Sequence, residues 1–314
     1  MAIRLAIGAA LLTAGYFGWI LLWIAISHAR FRAFHRRAGT RCPALGPRGW
    51  VRFYRRTVAS ILRLTAWWAL APSGRPLPAL APGAAAELGE IVLCVHGFHT
   101  DGSCLWGLRR CLARRGRVSF AVDLGLPYRR AEVYAAALRR DLDALVAAFP
   151  AARIDVVAHS MGGLMLRHVL GEAPALAARL RRVVTLGTPH HGTALLGWFR
   201  HGPVYRTMGR DSEYLRGLPV LAALAPGAEV TTIASAHDLL VYPVECAHLE
   251  GARQITLEGI GHLGLLTDRA IQQRVADLLD GSAPDSARGA GEAEDRAAEQ
   301  QRAEERERPP GGQA

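Results

Sequence analysis

The sequence predicts an α/β fold in which a mostly parallel sheet is flanked by helices. Short runs of apolar and β-branched residues alternate with segments of helical spacing, and this alternation is typical of a parallel sheet covered by helices. Apolar residues spaced at about 3.6 predict a helix over 130–149. The predicted strands lie at 91–95, 118–124, 153–158, 183–186, 229–234 and 254–257. Three of them run directly into glycine-containing turns.

Composition divides the 314 residues into a folded body and two flanking regions. The length allows one domain of about 200 residues with accessory segments. We expect the folded domain over 86–280, with a small cap inserted at about 194–227. The tail over 281–314 has no Val, Leu, Ile, Phe, Met, Trp or Tyr, so it cannot bury a core and is predicted to be disordered.

The amino-terminal segment predicts a membrane anchor over 1–29. Residues 5–27 carry no charge, and a helix of that length crosses about 30 Å of hydrocarbon. A cleaved signal peptide is the alternative, but the stretch exceeds the usual apolar core and arginines follow it. Those arginines place the rest of the chain in the cytoplasm. We therefore expect a single-pass protein of the inner cell membrane.

The net charge is +11, and arginine supplies all of the lysine-or-arginine charge, since the chain contains no lysine. Arginines cluster directly after the apolar segment, which favours an anionic membrane surface over nucleic acid as the partner. We expect a basic juxtamembrane helix and a proline-rich linker over 30–85. Within it, 50–70 alternates apolar residues with arginine at helical spacing. This pattern fits an interfacial helix and a helix packed on the folded body equally well.

Ser160 is the candidate nucleophile because it lies in a strand, small-x-Ser-x-small turn, helix arrangement. The crowded backbone of such a turn requires small residues two positions before and after the serine, here Ala158 and Gly162. The usual motif has glycine at the first of these places. A serine between a strand and a helix also serves as an ordinary N-cap, which is the structural alternative.

A serine hydroxyl needs a base, and the base needs a carboxylate to fix its tautomer. His262 lies in the loop after the last predicted strand and is the candidate base. Asp238 follows the strand at 229–234 and is the candidate carboxylate. The backbone N–H groups of Phe98 and Met161 are the expected donors to an oxyanion.

Several other polar residues are expected to have structural roles. Asp123 is expected to cap a strand end, and His96 and His159 are expected to shape turns. Structural hydrogen bonding is expected for His190 and His191, and solvation for Asp211 and Glu213. Aromatic and apolar residues of the cap region either line an acyl pocket or form the core of the cap. The sequence contains no metal-binding motif and predicts no cofactor.

Four motifs together resemble the bacterial triacylglycerol-lipase-like α/β-hydrolases and, more distantly, the GPI inositol-deacylase group. The motifs are Val95-His96-Gly97-Phe98, Ala158-His159-Ser160-Met161-Gly162-Gly163, Thr185-Leu186-Gly187-Thr188-Pro189-His190-His191-Gly192 and Gly261-His262-Leu263-Gly264-Leu265-Leu266. The resemblance covers about residues 90–280. It implies the α/β-hydrolase fold, with its chain order of serine, aspartate and histidine, and hydrolysis of lipid-like acyl esters.

The sequence-based expectation is therefore a carboxylic-ester hydrolase (esterase or lipase) that works through an acyl-Ser160 intermediate. Two alternatives remain open. The same triad serves thioesterases and acyltransferases, which differ in leaving group or acceptor. A non-catalytic membrane scaffold of the same fold would keep the architecture without needing an activated serine.

Overall fold

The computed structural model describes residues 2–40, 42–71, 88–198, 202–210 and 212–282. In the first helix, side chains are described from residue 15 onward, except at residue 17. The predicted proline-rich linker falls almost wholly on 72–87, and the predicted disordered tail almost wholly on 283–314. Both therefore lie outside the described residues, as does Asp211 of the expected cap.

Six parallel strands form a single sheet in the order β2-β1-β3-β4-β5-β6. The strands are β1 Glu90–Val95, β2 Ser119–Ala121, β3 Arg153–His159, β4 Leu180–Leu186, β5 Glu229–Ser235 and β6 Arg253–Leu257. Every predicted strand is present, with ends shifted by up to three residues. The strand order reverses at β1, because β2 lies on one side of it and β3 on the other. Loops diverge at such a point and leave a crevice at the carboxyl edge of the sheet.

Helices cover both faces of the sheet. The longer ones are α1 Ala2–Arg37, α2 Pro47–Leu70, α3 Trp106–Arg114, α4 Ala131–Ala148, α5 Met161–Glu172 and α11 Arg269–Asp280. Shorter α-helices are α6 Pro174–Ala177, α7 Pro203–Met208, α8 Glu213–Gly217, α9 Leu221–Leu224 and α10 Gly264–Thr267. Within the described ranges, three 3-10 helices lie at Gly102–Leu105, Ala194–Trp198 and Val244–Ala247.

Alternate residues of the strands enter two separate cores. In β1, Ile91 and Leu93 join the core built with α4 and α5, whereas Val92 and Cys94 join the core built with α3, α10 and α11. This alternation follows from the two-residue repeat of a strand. The sheet is therefore covered on both faces, and β1 accordingly reads as a continuous apolar run from Ile91 to Val95.

The two amino-terminal helices form a third cluster against loops of the sheet. On α1, a stripe of buried residues repeats at helical spacing: Ile20, Ile24, Ser27, Phe31 and His35. The cluster also contains Phe53 of α2, Leu195, Leu239 and Tyr242. The sequence left open whether the helix over 50–70 is interfacial or packed on the body. The structure shows α2 packed on the body.

The predicted membrane span over 5–27 is not supported. Across the part of the chain that the structure describes, no helix combines the length and the apolar character that a membrane crossing requires.

Candidate active site

Ser160 occupies a sharp turn between β3 and α5. Its backbone has φ 52° and ψ −126°, a conformation that residues other than glycine rarely adopt. A Cβ on Gly162 would stand 2.6 Å from the carbonyl oxygen of His96, so only glycine fits there. Ala158 is fully buried. The close approach of the β1 end to α5 is the physical reason for the small residues around Ser160.

Asp238 and His262 form a hydrogen-bonded pair at the same edge of the sheet. His262 Nδ1 donates to Asp238 Oδ2 at 2.6 Å, and both side chains are buried. The other carboxylate oxygen, Asp238 Oδ1, accepts from the backbone N–H groups of Leu240 at 2.7 Å and Val241 at 2.9 Å. Because Nδ1 carries the donated proton, Nε2 of the neutral ring is left as an acceptor.

Two backbone contacts place Ser160 beside this pair. The Ser160 N–H donates to the carbonyl of Leu186 at 2.9 Å. The next residue, Gly187, faces His262, since a Cβ there would lie 3.1 Å from His262 Nδ1. The Ser160 hydroxyl and His262 Nε2 form no hydrogen bond with any residue that the structure describes. Such bonds are often loose without substrate and tighten when it binds.

The expected oxyanion donors lie at two places, Phe98 on the loop after β1 and Met161 at the start of α5. Met161 is the first residue of α5, so its N–H has no acceptor within the helix. Phe98 follows the Gly97 carbonyl, which accepts from His96 Nδ1 at 2.8 Å and from the Thr100 hydroxyl at 3.1 Å. In a trans peptide the N–H points opposite to the carbonyl. These two bonds therefore turn the Phe98 N–H away from His96.

His96 shapes the turn after β1, as the sequence predicted, whereas His159 is the last residue of β3 and its ring lies 4.6 Å from that of His262, measured between centroids. His96 Nε2 accepts from the Leu124 N–H at 3.0 Å, which fixes the tautomer that donates to Gly97. Burial lowers the pKa of His96. Burial, and then the neighbouring His262, hold the pKa of His159 well below its ordinary value. Both rings are therefore neutral near pH 7, and neither adds a charge beside Ser160.

The other polar candidates are structural too. Asp123 Oδ1 accepts from the Gly125 N–H at 2.8 Å and so closes a turn. His190 is fully buried, and its Nε2 lies 3.1 Å from the Thr185 hydroxyl. Burial holds the pKa of His190 well below its ordinary value. Glu213 is exposed in the first turn of α8.

The described part of the cap packs most of its large apolar side chains into cores. Met208, Leu215 and Tyr214 pack into the core that contains α4 and α5, while Leu195 packs against the amino-terminal helices. Of the two alternatives for the cap residues, these contacts favour a packed core. In the described ranges no group of three or more His, Cys, Asp or Glu residues is arranged to hold a metal ion.

Sequence reasoning missed two buried residues near the site. Arg167 of α5 donates to three carbonyls, those of Pro219, Leu218 and His190, at 3.0, 2.9 and 2.8 Å. It thereby ties α5 to the cap and to the loop after β4. His237, beside Asp238, is fully buried, and its Nδ1 accepts from the Gly259 N–H at 3.1 Å. Only its adjacency to Asp238 could have pointed to it.

Comparisons with known proteins agree with this architecture. A family described as alpha/beta hydrolase fold matches residues 90–242, a range that includes Ser160 and Asp238 and ends before His262. One similar structure is the crystal structure of Aspergillus fumigatus lipase B, whose sequence is 16% identical to this chain and whose fold matches it with a TM-score of 0.55. The match covers 67% of this chain and 56% of the lipase, so the chain spans little more than half the length of that relative.

A second similar structure is Bacillus licheniformis lipase BlEst2 in its mature form. It is 17% identical, with a TM-score of 0.49, and the match covers 62% of this chain and 92% of that one. The family match, the likeness to lipase B, the sheet order and the turn at Ser160 together show that the chain has the α/β-hydrolase fold.

Proposed function

We propose that this α/β-hydrolase-fold chain is a serine hydrolase that cleaves carboxylic esters through an acyl-Ser160 intermediate. One observation carries the proposal: His262 is bound through Nδ1 to a buried carboxylate, at the edge of the sheet where Ser160 projects from a strained turn. An imidazole held in this tautomer can accept a proton only at Nε2. That is the arrangement a serine nucleophile requires.

In the proposed reaction, Ser160 Oγ attacks the ester carbonyl carbon while its proton passes to His262 Nε2. Asp238 stabilises the imidazolium that forms. The carbonyl oxygen becomes an oxyanion that accepts hydrogen bonds from the N–H groups of Phe98 and Met161, each worth about 3 kcal/mol in the transition state. His262 then gives the proton to the departing alkoxide, and the alcohol leaves an acyl-enzyme.

Water completes the proposed cycle. His262 Nε2 takes a proton from a water molecule as its oxygen attacks the acyl carbon. The second tetrahedral intermediate collapses when His262 returns that proton to Ser160 Oγ, and the carboxylic acid leaves. The donors that serve the first oxyanion also serve the second, so no additional group is needed.

Lipid-like acyl esters are the proposed substrate class. The four sequence motifs resemble those of lipase-like hydrolases, and the two similar structures are described as lipases. The fold alone does not select a substrate. A series of p-nitrophenyl esters of increasing acyl length, assayed with and without detergent micelles, therefore tests the class. We expect faster turnover of the longer esters and an increase when micelles are present.

The Ser160→Ala variant is the direct control for this assay. It removes the hydroxyl without adding volume, so the variant should unfold at a temperature close to that of the unchanged protein and should show no turnover above background. Full activity of the variant would refute the acyl-serine mechanism. Parallel assays with acyl-thioesters, and with alcohols as acceptors, distinguish ester hydrolysis from thioesterase and acyltransferase chemistry.

A location at the cytoplasmic face of the inner membrane remains part of the proposal on sequence grounds alone. The uncharged stretch over 5–27 and the arginines that follow it are the supporting features. Fractionation of cells into membrane and soluble material tests the location. A reporter fused after Ala314 tests the sidedness, because activity confined to the periplasm would contradict a cytoplasmic domain.

A further inference from the structure

The loops that carry Asp238 and His262 are joined by a residue that has no part in the proposed reaction. We define the acid loop as residues 236–243 and the histidine loop as residues 258–263. His237 belongs to the acid loop, and its Nδ1 accepts a hydrogen bond from the N–H of Gly259 in the histidine loop at 3.1 Å. This is a direct link between the two loops besides the Asp238–His262 bond itself.

Helix α2 supports the acid loop through aromatic contacts with the same histidine. The His237 ring lies 5.9 Å from the Trp50 ring and 6.4 Å from the Phe53 ring, measured between centroids. Phe53 is almost completely buried, and His237 is fully buried. The ring of His237 is therefore held between α2 on one side and the Gly259 N–H on the other.

Helix α2 also contacts the histidine loop next to the base. A Cβ on Gly261 would lie 3.1 Å from the Thr57 hydroxyl and 3.6 Å from the Phe53 ring, so α2 lies directly against the backbone that precedes His262. A side chain at Gly261 would push the loop away from the helix. Glycine allows the close approach.

The short helix α10, which follows His262, is fastened to α2 by polar contacts. The Thr267 hydroxyl donates to Ser60 Oγ at 2.7 Å, and Ser60 in turn donates to the carbonyl of Arg56 at 2.8 Å. Arg63 Nη1 donates to the Thr267 carbonyl at 2.6 Å. Thr267 is the last residue of α10, whose final carbonyls have no partner within the helix.

We propose that His237 and helix α2 position the catalytic pair, with His237 setting the distance between the two loops and α2 holding the outer side of both. The proposal rests on the proposed function for its kinetic consequences. His237, Phe53, Ser60 and Thr267 are positioning residues, because each acts on Asp238 or His262 through the backbone. Helix α2 thus belongs to the catalytic unit.

A matched pair of substitutions tests the hydrogen bond of His237. His237→Asn keeps an acceptor at the place of Nδ1, whereas His237→Phe keeps a ring but no acceptor. A displacement of about 1 Å can cost 100-fold in rate, so we expect His237→Phe to lower kcat about 10- to 100-fold. KM should change little, because the residue does not touch substrate. His237→Asn should restore most of the lost kcat.

A second matched pair tests the attachment of α10 to α2 and does not depend on the folding of the His237 variants. Thr267→Val is isosteric and lacks the hydroxyl, whereas Thr267→Ser keeps it. We expect the valine variant to lower kcat at nearly unchanged KM and the serine variant to recover it. Trp68→Ala, on an exposed part of α2, is the control and should leave both constants unchanged.

A readout that needs no substrate separates this proposal from the proposed function. The proton between His262 Nδ1 and Asp238 Oδ2 should give a low-field proton resonance in the unchanged protein. We expect the resonance to broaden or disappear in His237→Phe and to persist in His237→Asn and Trp68→Ala. If the unchanged protein hydrolyses no ester, the proposed function fails, while the resonance still reports on the positioning.

The positioning role is overturned by either of two results. One is a sharp resonance and an unchanged kcat in His237→Phe. The other is an equal loss of kcat in both His237 variants, matched by an equal loss of folded protein in thermal unfolding. That pattern would indicate general destabilisation rather than a change in the position of the loops.

Discussion

The backbone conformation that directs the Ser160 side chain out of its turn is itself energetically unfavourable. Its backbone conformation, φ 52° and ψ −126°, costs about 1–3 kcal/mol for a residue with a Cβ. The same conformation directs the side chain out of the turn, between the end of β3 and the first N–H groups of α5. The surrounding β-structure and helix stabilise a geometry that the isolated segment would avoid.

Replacing Ser160 with glycine tests this strain. Glycine adopts positive φ without the steric cost, although it loses more backbone entropy on folding than alanine does. We expect Ser160→Gly to exceed Ser160→Ala in free energy of unfolding by about 1 kcal/mol, with both variants inactive. Urea denaturation provides the comparison. Equal or lower stability of the glycine variant would show that the turn is not strained at this residue.

At Gly162 an added side chain should lower the stability of the fold, because the site has no room for a Cβ. A Cβ there would stand 2.6 Å from the His96 carbonyl oxygen and 2.9 Å from that of Val95, and backbone atoms cannot easily move aside. We expect Gly162→Ala to cost about 1–3 kcal/mol of stability. The control is Gly217→Ala, where no atom lies within 4 Å of the added carbon. A Gly162→Ala variant as stable as the control would contradict the close packing.

At the scale of elements, the loops after the strands decide the chemistry. The acid loop uses both oxygens of Asp238, one for its own backbone and one for His262. In Asp238→Asn the amide oxygen can still accept the backbone bonds, while the Nδ1–H···carboxylate interaction is lost. We expect kcat to fall about 10,000-fold with the fold retained. A decrease of less than tenfold in steady-state assays would remove Asp238 from the proposed triad.

Helix α2 provides a prediction about packing. Phe53 is buried between Trp50, His237 and the backbone of Gly261, so Phe53→Ala leaves a cavity that the surrounding loops cannot fill. We expect a loss of about 3–5 kcal/mol in the free energy of unfolding. Leu62→Ala, at an exposed site of the same helix, should change stability by about 0.5 kcal/mol or less. Similar losses in the two variants, measured by denaturation, would mean that α2 does not pack on the body.

The sheet could be predicted from the sequence because its strands are short runs, mostly rich in apolar or β-branched residues, that alternate with helical segments. The triad candidates followed from their places after β3, β5 and β6. The position of α2 could not be predicted, since arginines that alternate with apolar residues suit both a lipid surface and a protein surface. The link from His237 to Gly259 was also hidden. It joins residues 22 positions apart through a backbone N–H that has no sequence signal.

At the scale of the whole molecule, several buried histidines link stability to pH. Burial lowers the pKa of His96, His159 and His190, so these rings stay neutral in the folded protein at pH values where the unfolded chain already binds protons. The unfolded state therefore gains protons first as the pH falls below about 6.5, the ordinary histidine value. Stability from these groups is complete above that pH and decreases below it.

We expect the free energy of unfolding to fall between about pH 6.5 and pH 5, with up to about 1.4 kcal/mol per pH unit from each of these histidines. Urea denaturation at a series of pH values measures this slope. His190→Gln removes one titrating group and should make the slope shallower. A stability that is constant over this range, or that rises towards pH 5, would contradict neutral buried rings.

The most direct test of the central claim is labelling with a fluorophosphonate, which reacts with an activated serine. Mass spectrometry of the digested protein identifies the modified residue. We predict stoichiometric labelling at Ser160 in the folded protein, none in Ser160→Ala, and strongly slowed labelling in His262→Ala and Asp238→Asn. Labelling at another residue, or labelling of Ser160 that is equally fast without His262, would contradict the account.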